Sequence, residues 1–190
     1  MLAWLGQGVI GEGQAVLVTA AYRGLQYRSV AVLVSSADAI EVRYPQAASG
    51  VCQMISGTLA RDVPGVQVIN ADKAIAYTQA HRGWDLMPAS SIAKQLKVER
   101  LVLIDMHEYR THEPGNTNVW RGMIKATVDV TEVDGADPNT SAFRAEIMNK
   151  YPPTGMVGMI NSDSRSIEQQ MLPGFAVKVM QLFVDHEEKR

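Results

Sequence analysis

Two His-Glu pairs lie within ten residues, in the stretch IDMHEYRTHE. Imidazole nitrogens and carboxylates are zinc ligands, and a carboxylate beside a bound metal can also accept a proton during hydrolysis. One hypothesis is therefore a metal-dependent hydrolase that uses His107, His112 and Glu113 as ligands, with Glu108 as its base.

The spacing of the two histidines argues against that hypothesis. A metalloprotease helix carries its histidines four residues apart, on one face, so that both reach the same ion. Here the spacing is five, and the segment continues an apolar strand, on which residues five apart point to opposite faces. No third ligand and no nucleophile is marked by spacing. We therefore expect no catalytic residue, no bound metal and no cofactor; the sequence favours a protein that is not an enzyme, and the metal-dependent hydrolase is the alternative.

The same segment has a second interpretation, as a binding surface. Asp105, His107 and Tyr109 are predicted to project from one face of a strand, and the turn-rich stretch THEPGNTN is predicted to form the following loop. Loops at the ends of parallel strands are where α/β proteins bind ligands. We predict an interaction surface made of His107, Tyr109, His112, Glu113, Asn116, Asn118 and Trp120.

The elements that position this segment alternate between strands and helices. The apolar runs SVAVLVS, VQVIN and LVLIDMHEY predict three strands. Between them, Val51, Ile55, Leu59 and Val63 recur at helical spacing, Asn70 can cap a helix from Ala71 to about Ala80, and MPASSIAKQLKVER predicts a further helix. Strands joined by helical crossovers pair in parallel.

The second half of the chain has a different periodicity. The stretch NVWRGMIKATVDVTEVDG alternates, with Trp120 and every second residue to Val130 on one side, and AFRAEIMNKY alternates again. A last helix is predicted from Ser164 into the charged DHEEKR. The sum is one α/β domain over residues 29–190, with a mixed parallel and antiparallel sheet covered by helices, a C-terminal antiparallel meander and a closing helix. Residues 1–28 are predicted to be an apolar arm or the remnant of an export signal.

The composition narrows the classes of partner. The chain has 190 residues, is 46% hydrophobic and carries a net charge of −2, with its basic residues scattered. Nucleic-acid binding needs a basic surface, so no nucleic-acid partner is expected. No apolar stretch is long enough to span a bilayer. The single cysteine, Cys52, excludes an intrachain disulfide and falls in an apolar helical pattern, where we expect it to be buried.

The order of elements resembles the α/β module shared by the TolB amino-terminal domain, the curli-secretion lipoprotein and the activator lipoproteins of penicillin-binding proteins. The resemblance covers residues 29–186 and rests on SVAVLV, VQVIN, LKVERLVLIDM, GMIKATVDVTEVDG, FRAEIMNKYPPTG and LFVDHEEKR. The segments THEPGN, VWRG and DHEE are similar to those of uncharacterised bacterial envelope proteins.

The resemblance implies a non-catalytic module of the bacterial cell envelope that assembles with itself or docks on another envelope protein. It implies a periplasmic or envelope location close to a membrane, and a cytoplasmic location is the alternative. The chain departs from the lipoproteins of the group because no cysteine lies near its N-terminus. Independently of the resemblance, a small-ligand or nucleotide binder at the strand ends is a further hypothesis.

Overall fold

The computed structural model describes residues 15–153, 159 and 162–189 of the chain. The strands are β1 (Ala15–Val18), β2 (Ser29–Ser36), β3 (Gln67–Val68), β4 (Arg100–Glu113), β5 (Asn116–Glu132), β6 (Ser141–Tyr151) and β7 (His186–Lys189). The helices are α1 (Asp38–Arg43), α2 (Ala47–Asp62), α3 (Ala71–Ala80), α4 (Ala89–Leu96) and α5 (Ser164–Met180), with a short 3-10 turn at Trp84–Leu86.

The main sheet has five strands in the order β3-β2-β4-β5-β6. Strand β2 pairs in parallel with β3 and β4, and β4, β5 and β6 form an antiparallel meander. The predicted fold class, a mixed sheet covered by helices with a C-terminal meander and a closing helix, is confirmed. The crossover after β2 leads to β3 on one side of β2, and the crossover after β3 passes back across β2 to β4 on its other side.

The central strand of the parallel half, β2, is buried on both faces. Residues Val30, Ala31, Val32 and Leu33 of β2 have no exposed surface. The stripe predicted for α2 lies in the same core, because Val51, Ile55 and Leu59 are fully buried and α2 packs on β2. A parallel strand flanked by helical crossovers has to be apolar on both sides, which explains the continuous run SVAVLV.

The antiparallel half is covered on one face by α5. The alternation predicted for β5 is confirmed, since Ile124, Ala126, Val128 and Val130 are fully buried. They share the face covered by α5, whose Ile167, Met171, Phe175 and Val179 are buried as well. Gly122 permits the close approach of this helix, because a Cβ there would lie 2.7 Å from Ile167 Cγ2 and 2.7 Å from Met171 Sδ.

The end of the chain corrects one prediction. The last helix does not continue into DHEEKR but ends at Met180, and His186–Lys189 forms β7, which pairs antiparallel with β1. Asp185 stabilises this pairing, because its carboxylate accepts a hydrogen bond from the Ala20 N–H at 2.8 Å and binds Arg23 at 2.6 Å. The charged tail is therefore strand in the described residues, paired with a segment at the other end of the chain.

The predicted N-terminal arm is described from residue 15 onward, and residues 1–14 lie outside the described part. Leu25 of this segment is buried in the main core, and the Gly24 carbonyl accepts a hydrogen bond from Arg100 Nε at 3.0 Å. Residues 22–28 thus pack on the domain, whereas β1 pairs with β7. Among the described residues, no helix has the length and apolar character needed to cross a membrane.

Candidate functional site

All seven residues of the predicted interaction surface lie on the distal part of one hairpin. Strand β4 leaves its pairing with β2 after Met106, and its distal residues continue antiparallel to β5. The turn between the strands is tight, with Gly115 at a φ of 76°, a conformation that glycine adopts without strain. The segment from His112 to Asn118 was predicted to be a loop. Instead, it forms the ends of two strands and their turn.

His107 lies on the open face of the sheet, away from α5. Its Nε2 is 2.7 Å from Thr127 Oγ1, and its Nδ1 is 3.6 Å from Asp105 Oδ2. Asp105 in turn accepts a hydrogen bond from Ser35 Oγ at 2.9 Å. This row of polar side chains crosses three strands and remains open to solvent. It is a hydrogen-bonded row on the surface of the sheet, and neither His107 nor Thr127 lines a cavity at the end of β2 that is described below.

Tyr109 corrects the expectation that it shares a face with Asp105 and His107. The register of β4 against β5 shifts between Met106 and Glu108, so His107 is an extra residue in β4. This bulge turns Tyr109 into the core, where it is 5% exposed and its ring lies 5.0 Å from that of Tyr44. Burial raises the pKa of the Tyr109 hydroxyl, with a smaller contribution from the negative charge of Glu168. Tyr109 therefore supports the hairpin from inside.

The tip of the hairpin carries an aromatic contact. The rings of His112 and Trp120 lie 4.0 Å apart, and His112 Nδ1 is 3.1 Å from Thr111 Oγ1. Burial lowers the pKa of His112, and the positive charge of Arg43 lowers it further. The lowered pKa favours the neutral form of the imidazole that lies against the indole.

Charged side chains surround this aromatic pair. Glu113 binds Arg121 at 3.0 Å, and Arg110 binds Glu108 at 2.6 Å while donating to the His112 carbonyl at 3.0 Å. At the start of β5, the Asn118 N–H donates to Asn116 Oδ1 at 3.0 Å. The tip therefore combines one aromatic pair with ion pairs and amides.

The three residues of the metal hypothesis are engaged separately. His107 contacts Thr127, His112 packs on Trp120, and Glu113 binds Arg121. In the part of the chain that the structure describes, no group of three His, Cys, Asp or Glu side chains is arranged to hold a metal ion.

A buried polar network anchors the hairpin to the domain. Thr111 is fully buried, its N–H donates to Tyr44 Oη at 3.3 Å, and its hydroxyl accepts from Ser164 Oγ at 3.2 Å. Ser164 is the first residue of α5 and also contacts Glu168 at 3.2 Å. These bonds fix the distal hairpin against the segment that joins α1 to α2 and against the start of α5.

The structure also contains a cavity that sequence reasoning did not locate. It has a volume of about 680 Å³ and lies at the carboxyl end of β2, between α2 and α3. The strand order fits this place, because the chain reverses its direction across the sheet around β2, and open α/β sheets bind ligands at the carboxyl ends of strands where the strand order reverses. Its polar lining consists of Ser35, Ser36, Asp38, Glu41, Gln46, Ser49, Thr78, Gln79, Arg82 and Asp85, with Trp84 at one side.

Cys52 lies at the apolar floor of this cavity. Its thiol is 3.4 Å from the Val32 carbonyl, and burial raises its pKa to about 11. The prediction that Cys52 is buried is confirmed, since 3% of its surface is exposed. A thiol with a raised pKa is mostly protonated at pH 7 and is a poor nucleophile.

Comparison with known proteins gives the fold a context. No family model matches the chain, and no curated protein matches it. The PelC dodecamer from Paraburkholderia phytofirmans matches with a TM-score of 0.51 and 12% identity, over 90% of this chain and 98% of that one. A singly substituted PelC dodecamer gives a TM-score of 0.52 at 12% identity, over 90% of this chain and 100% of that one.

This chain has the PelC fold. Lipoprotein GNA1162 from Neisseria meningitidis shares it, with a TM-score of 0.51 and 14% identity over 81% of this chain and 96% of that one. The expected resemblance to an α/β module of envelope proteins is confirmed at the level of the fold.

Proposed function

We propose that this protein is a non-catalytic module associated with the bacterial cell envelope, and that it works by binding proteins, including copies of itself. The observation that carries the proposal is the fold shared over 90% of the chain with PelC, which forms a dodecamer. A lipoprotein with the same fold supports the envelope association. Because one fold hosts many functions, the binding surface has to be argued from this chain's own residues.

The tip of the β4–β5 hairpin is the surface that we propose for contact with a protein partner. It combines the Trp120 and His112 rings with the Glu113–Arg121 ion pair. Tryptophan and arginine are enriched among the residues that dominate binding energy at interfaces. The network around Thr111 holds the tip in place, so little conformational entropy is lost on binding.

Two measurements test this proposal. Size-exclusion chromatography with light scattering over a wide concentration range should show species larger than a monomer. A pull-down from the native host should recover envelope proteins with the wild type and fewer with Trp120→Ala. The matched control is Trp84→Ala, which removes an indole that lies outside the β4–β5 hairpin. A monomer at every concentration, together with no envelope protein recovered, would refute the proposal.

The location is a separate part of the proposal. Cell fractionation of the native host should place the protein in the periplasmic or membrane fraction. Recovery in the cytoplasmic fraction would contradict the envelope association and leave protein binding as the remaining part of the proposal.

A second candidate function, binding of a small ligand, is favoured by the cavity at the end of β2. A volume of about 680 Å³ lies in the range of small-molecule sites. Three carboxylates, Asp38, Glu41 and Asp85, line it beside the single guanidinium of Arg82. This balance disfavours polyphosphates such as nucleotides and favours neutral or cationic molecules, for which the Trp84 ring offers a stacking surface.

Thermal unfolding in the presence of ligand panels tests this second function. A ligand that binds only the folded state raises the melting temperature. Neutral or cationic compounds should raise it in the wild type and fail to do so in Trp84→Ala, whereas Trp120→Ala should respond as the wild type does. A response to nucleoside triphosphates alone would contradict the expected charge preference.

A further inference from the structure

Strand β6 forms one edge of the five-stranded sheet. It is 11 residues long, and within the described residues no strand pairs with its outer side. Such an edge presents a row of backbone N–H and C=O groups to which another extended chain can bind. Folded proteins protect edges of this kind with prolines, bulges or lysines. The part of β6 that lacks these features is the part that can pair with another strand.

The protected positions of β6 lie at its ends. The register of β5 against β6 is irregular only between Ser141 and Phe143, where Ala142 is an extra residue, and β6 itself contains no proline. Near the other end, Lys178 Nζ binds the Met148 carbonyl at 2.7 Å. The unprotected run therefore extends from Phe143 to Ile147, and Ala145 is its midpoint.

We propose that β6 pairs antiparallel with β6 of a second copy of this chain, with Ala145 on the two-fold axis. The two five-stranded sheets would then form one continuous sheet. This inference rests on the self-association proposed above and specifies the surface that produces it. In this register Arg144 lies opposite Glu146 of the second copy, and symmetry repeats the pair.

The charges of β6 select this register. Opposite charges directly across two antiparallel strands stabilise the pairing, and like charges destabilise it. If the axis moved to Arg144 or to Glu146, the same faces of the strands would still match, but each of these residues would face its own symmetry mate. Among these three neighbouring registers, the axis at Ala145 is therefore the one that pairs opposite charges.

The intrachain ion pairs of β6 fit the same arrangement. Arg144 binds Asp129 at 2.7 Å, and Glu146 binds Lys125 at 3.3 Å, both on the open face of the sheet. Pairing at Ala145 would join these contacts into a row of alternating charge from Asp129 of one copy to Lys125 of the other. A network of this kind is worth more than isolated surface pairs.

The opposite face of β6 supplies apolar contacts. Phe143, Ala145 and Ile147 are half-buried there because the core ends at this strand, whereas Arg144 and Glu146 are exposed. The proposed register places Phe143 opposite Ile147 of the second copy. Pairing would therefore cover the apolar margin that α5 leaves partly open.

Site-specific cross-linking tests the register. Opposed residues of antiparallel strands have Cα atoms about 4.5–5.5 Å apart, which is within the range of a disulfide. In a Cys52→Ser background, Ala145→Cys should form a covalent dimer when treated with copper phenanthroline. The matched control is Ala142→Cys, which lies opposite Met148 of the second copy and far from its own mate, so it should stay monomeric on a non-reducing gel.

A charge variant provides a second test that does not depend on oxidation. Glu146→Lys places two lysines opposite two arginines and should weaken self-association by about tenfold in sedimentation equilibrium. Glu187→Lys makes the same charge change on β7, outside the five-stranded sheet, and should leave self-association unchanged.

The outcomes separate this inference from the proposed function. Self-association without selective cross-linking at Ala145 would overturn the β6 pairing and leave the proposed function standing. Equal cross-linking of both cysteine variants would also overturn it, because random encounters would explain the result. A monomer at every concentration would overturn the β6 pairing and the proposed self-association together.

Discussion

The two halves of the main sheet meet at β4 and are built in opposite ways. In the parallel half, β2 lies between two strands and is buried on both faces. In the antiparallel half, β5 and β6 are covered by α5 on one face and carry charged residues such as Lys125 and Arg144 on the other. Helical crossovers have to lie on the faces of a sheet, whereas hairpins leave the faces free.

This difference suggests that the parallel half serves as the framework of the domain and that the antiparallel half offers the surfaces for contact with other proteins. The apolar residues Val30 to Leu33 of β2 have no surface to offer a macromolecule, and the opening in their half is a cavity suited to a small ligand. The antiparallel half presents a projecting hairpin, an open charged face and the free edge of β6. A protein partner, or a second copy, is therefore expected to bind the antiparallel half.

Truncation of a core residue in each half should give the largest contrast. Leu33→Ala removes a fully buried side chain between two layers and should lower the free energy of unfolding by about 3 kcal/mol. Met148→Ala, at a position 45% exposed on β6, should change it by less than about 0.5 kcal/mol. Urea unfolding measures both. Similar losses would contradict the division into framework and contact surface.

The junction of the halves should be the next most sensitive position. Arg100, the first residue of β4, is buried, contacts Asp134 and Glu132, and donates to the carbonyls of Gly24 and Glu99. Arg100→Met should lower the free energy of unfolding by about 2 kcal/mol, because two carbonyls and the carboxylates lose their donor.

Its matched control is Arg61→Met on α2. The Arg61 side chain is 72% exposed and pairs with Asp62, so its loss should cost less than about 0.5 kcal/mol. Urea unfolding of the two variants compares their losses in free energy of unfolding. Equal losses would show that the contacts of Arg100 stabilise the fold no more than a surface ion pair does.

Glycine replacements in the two halves should have effects of opposite sign. Gly122→Ala in β5 forces a Cβ against Ile167 and Met171 and should lower the free energy of unfolding by about 1–2 kcal/mol. Gly57→Ala lies inside α2, where nothing stands within 4 Å of the added Cβ, and should raise it by about 0.5–1 kcal/mol. Thermal and urea unfolding measure both changes. A change of the same sign in the free energy of unfolding of both variants would contradict this prediction.

Local signals explain the parts of the fold that the sequence predicts correctly. The helix Ala71–Ala80 was predicted from its cap, and Asn70 does accept the Asp72 N–H at 2.7 Å. The spacing of Val51, Ile55 and Leu59 predicts α2 because helical periodicity is a property of neighbouring residues. The short α1 was missed, since six residues cannot display a clear period.

Local sequence signals do not predict features that depend on contacts between residues distant in the chain. The bulge at His107 depends on the register between β4 and β5, and one extra residue is enough to move Tyr109 to the other face. Strand β7 forms because β1 pairs with it from the far end of the chain. The cavity follows from strand order, which places α2 and α3 around the end of β2. All seven predicted surface residues nevertheless lie on one hairpin, because they are close in sequence.

Glu99 offers a smaller test, at the point where the parallel half begins. Its carboxylate accepts hydrogen bonds from the Ser29 N–H at 2.9 Å and the Ser29 hydroxyl at 3.0 Å, and binds Arg28 at 2.8 Å. These contacts lower the pKa of Glu99 to about 2, with the bond from the Ser29 N–H as the largest cause.

A pKa below that of the unfolded chain, about 4.3, means that the folded state favours the ionised carboxyl. The stabilisation by Glu99 is fully present above the pKa of the unfolded chain and is lost as the pH falls from about 4.5 towards 2. Glu99→Gln should therefore be less stable than the wild type at pH 7, and the difference should shrink through this window. Urea unfolding at a series of pH values measures it. Stability curves that stay parallel down to the lowest pH would show that the link between β2 and β4 does not depend on this charge.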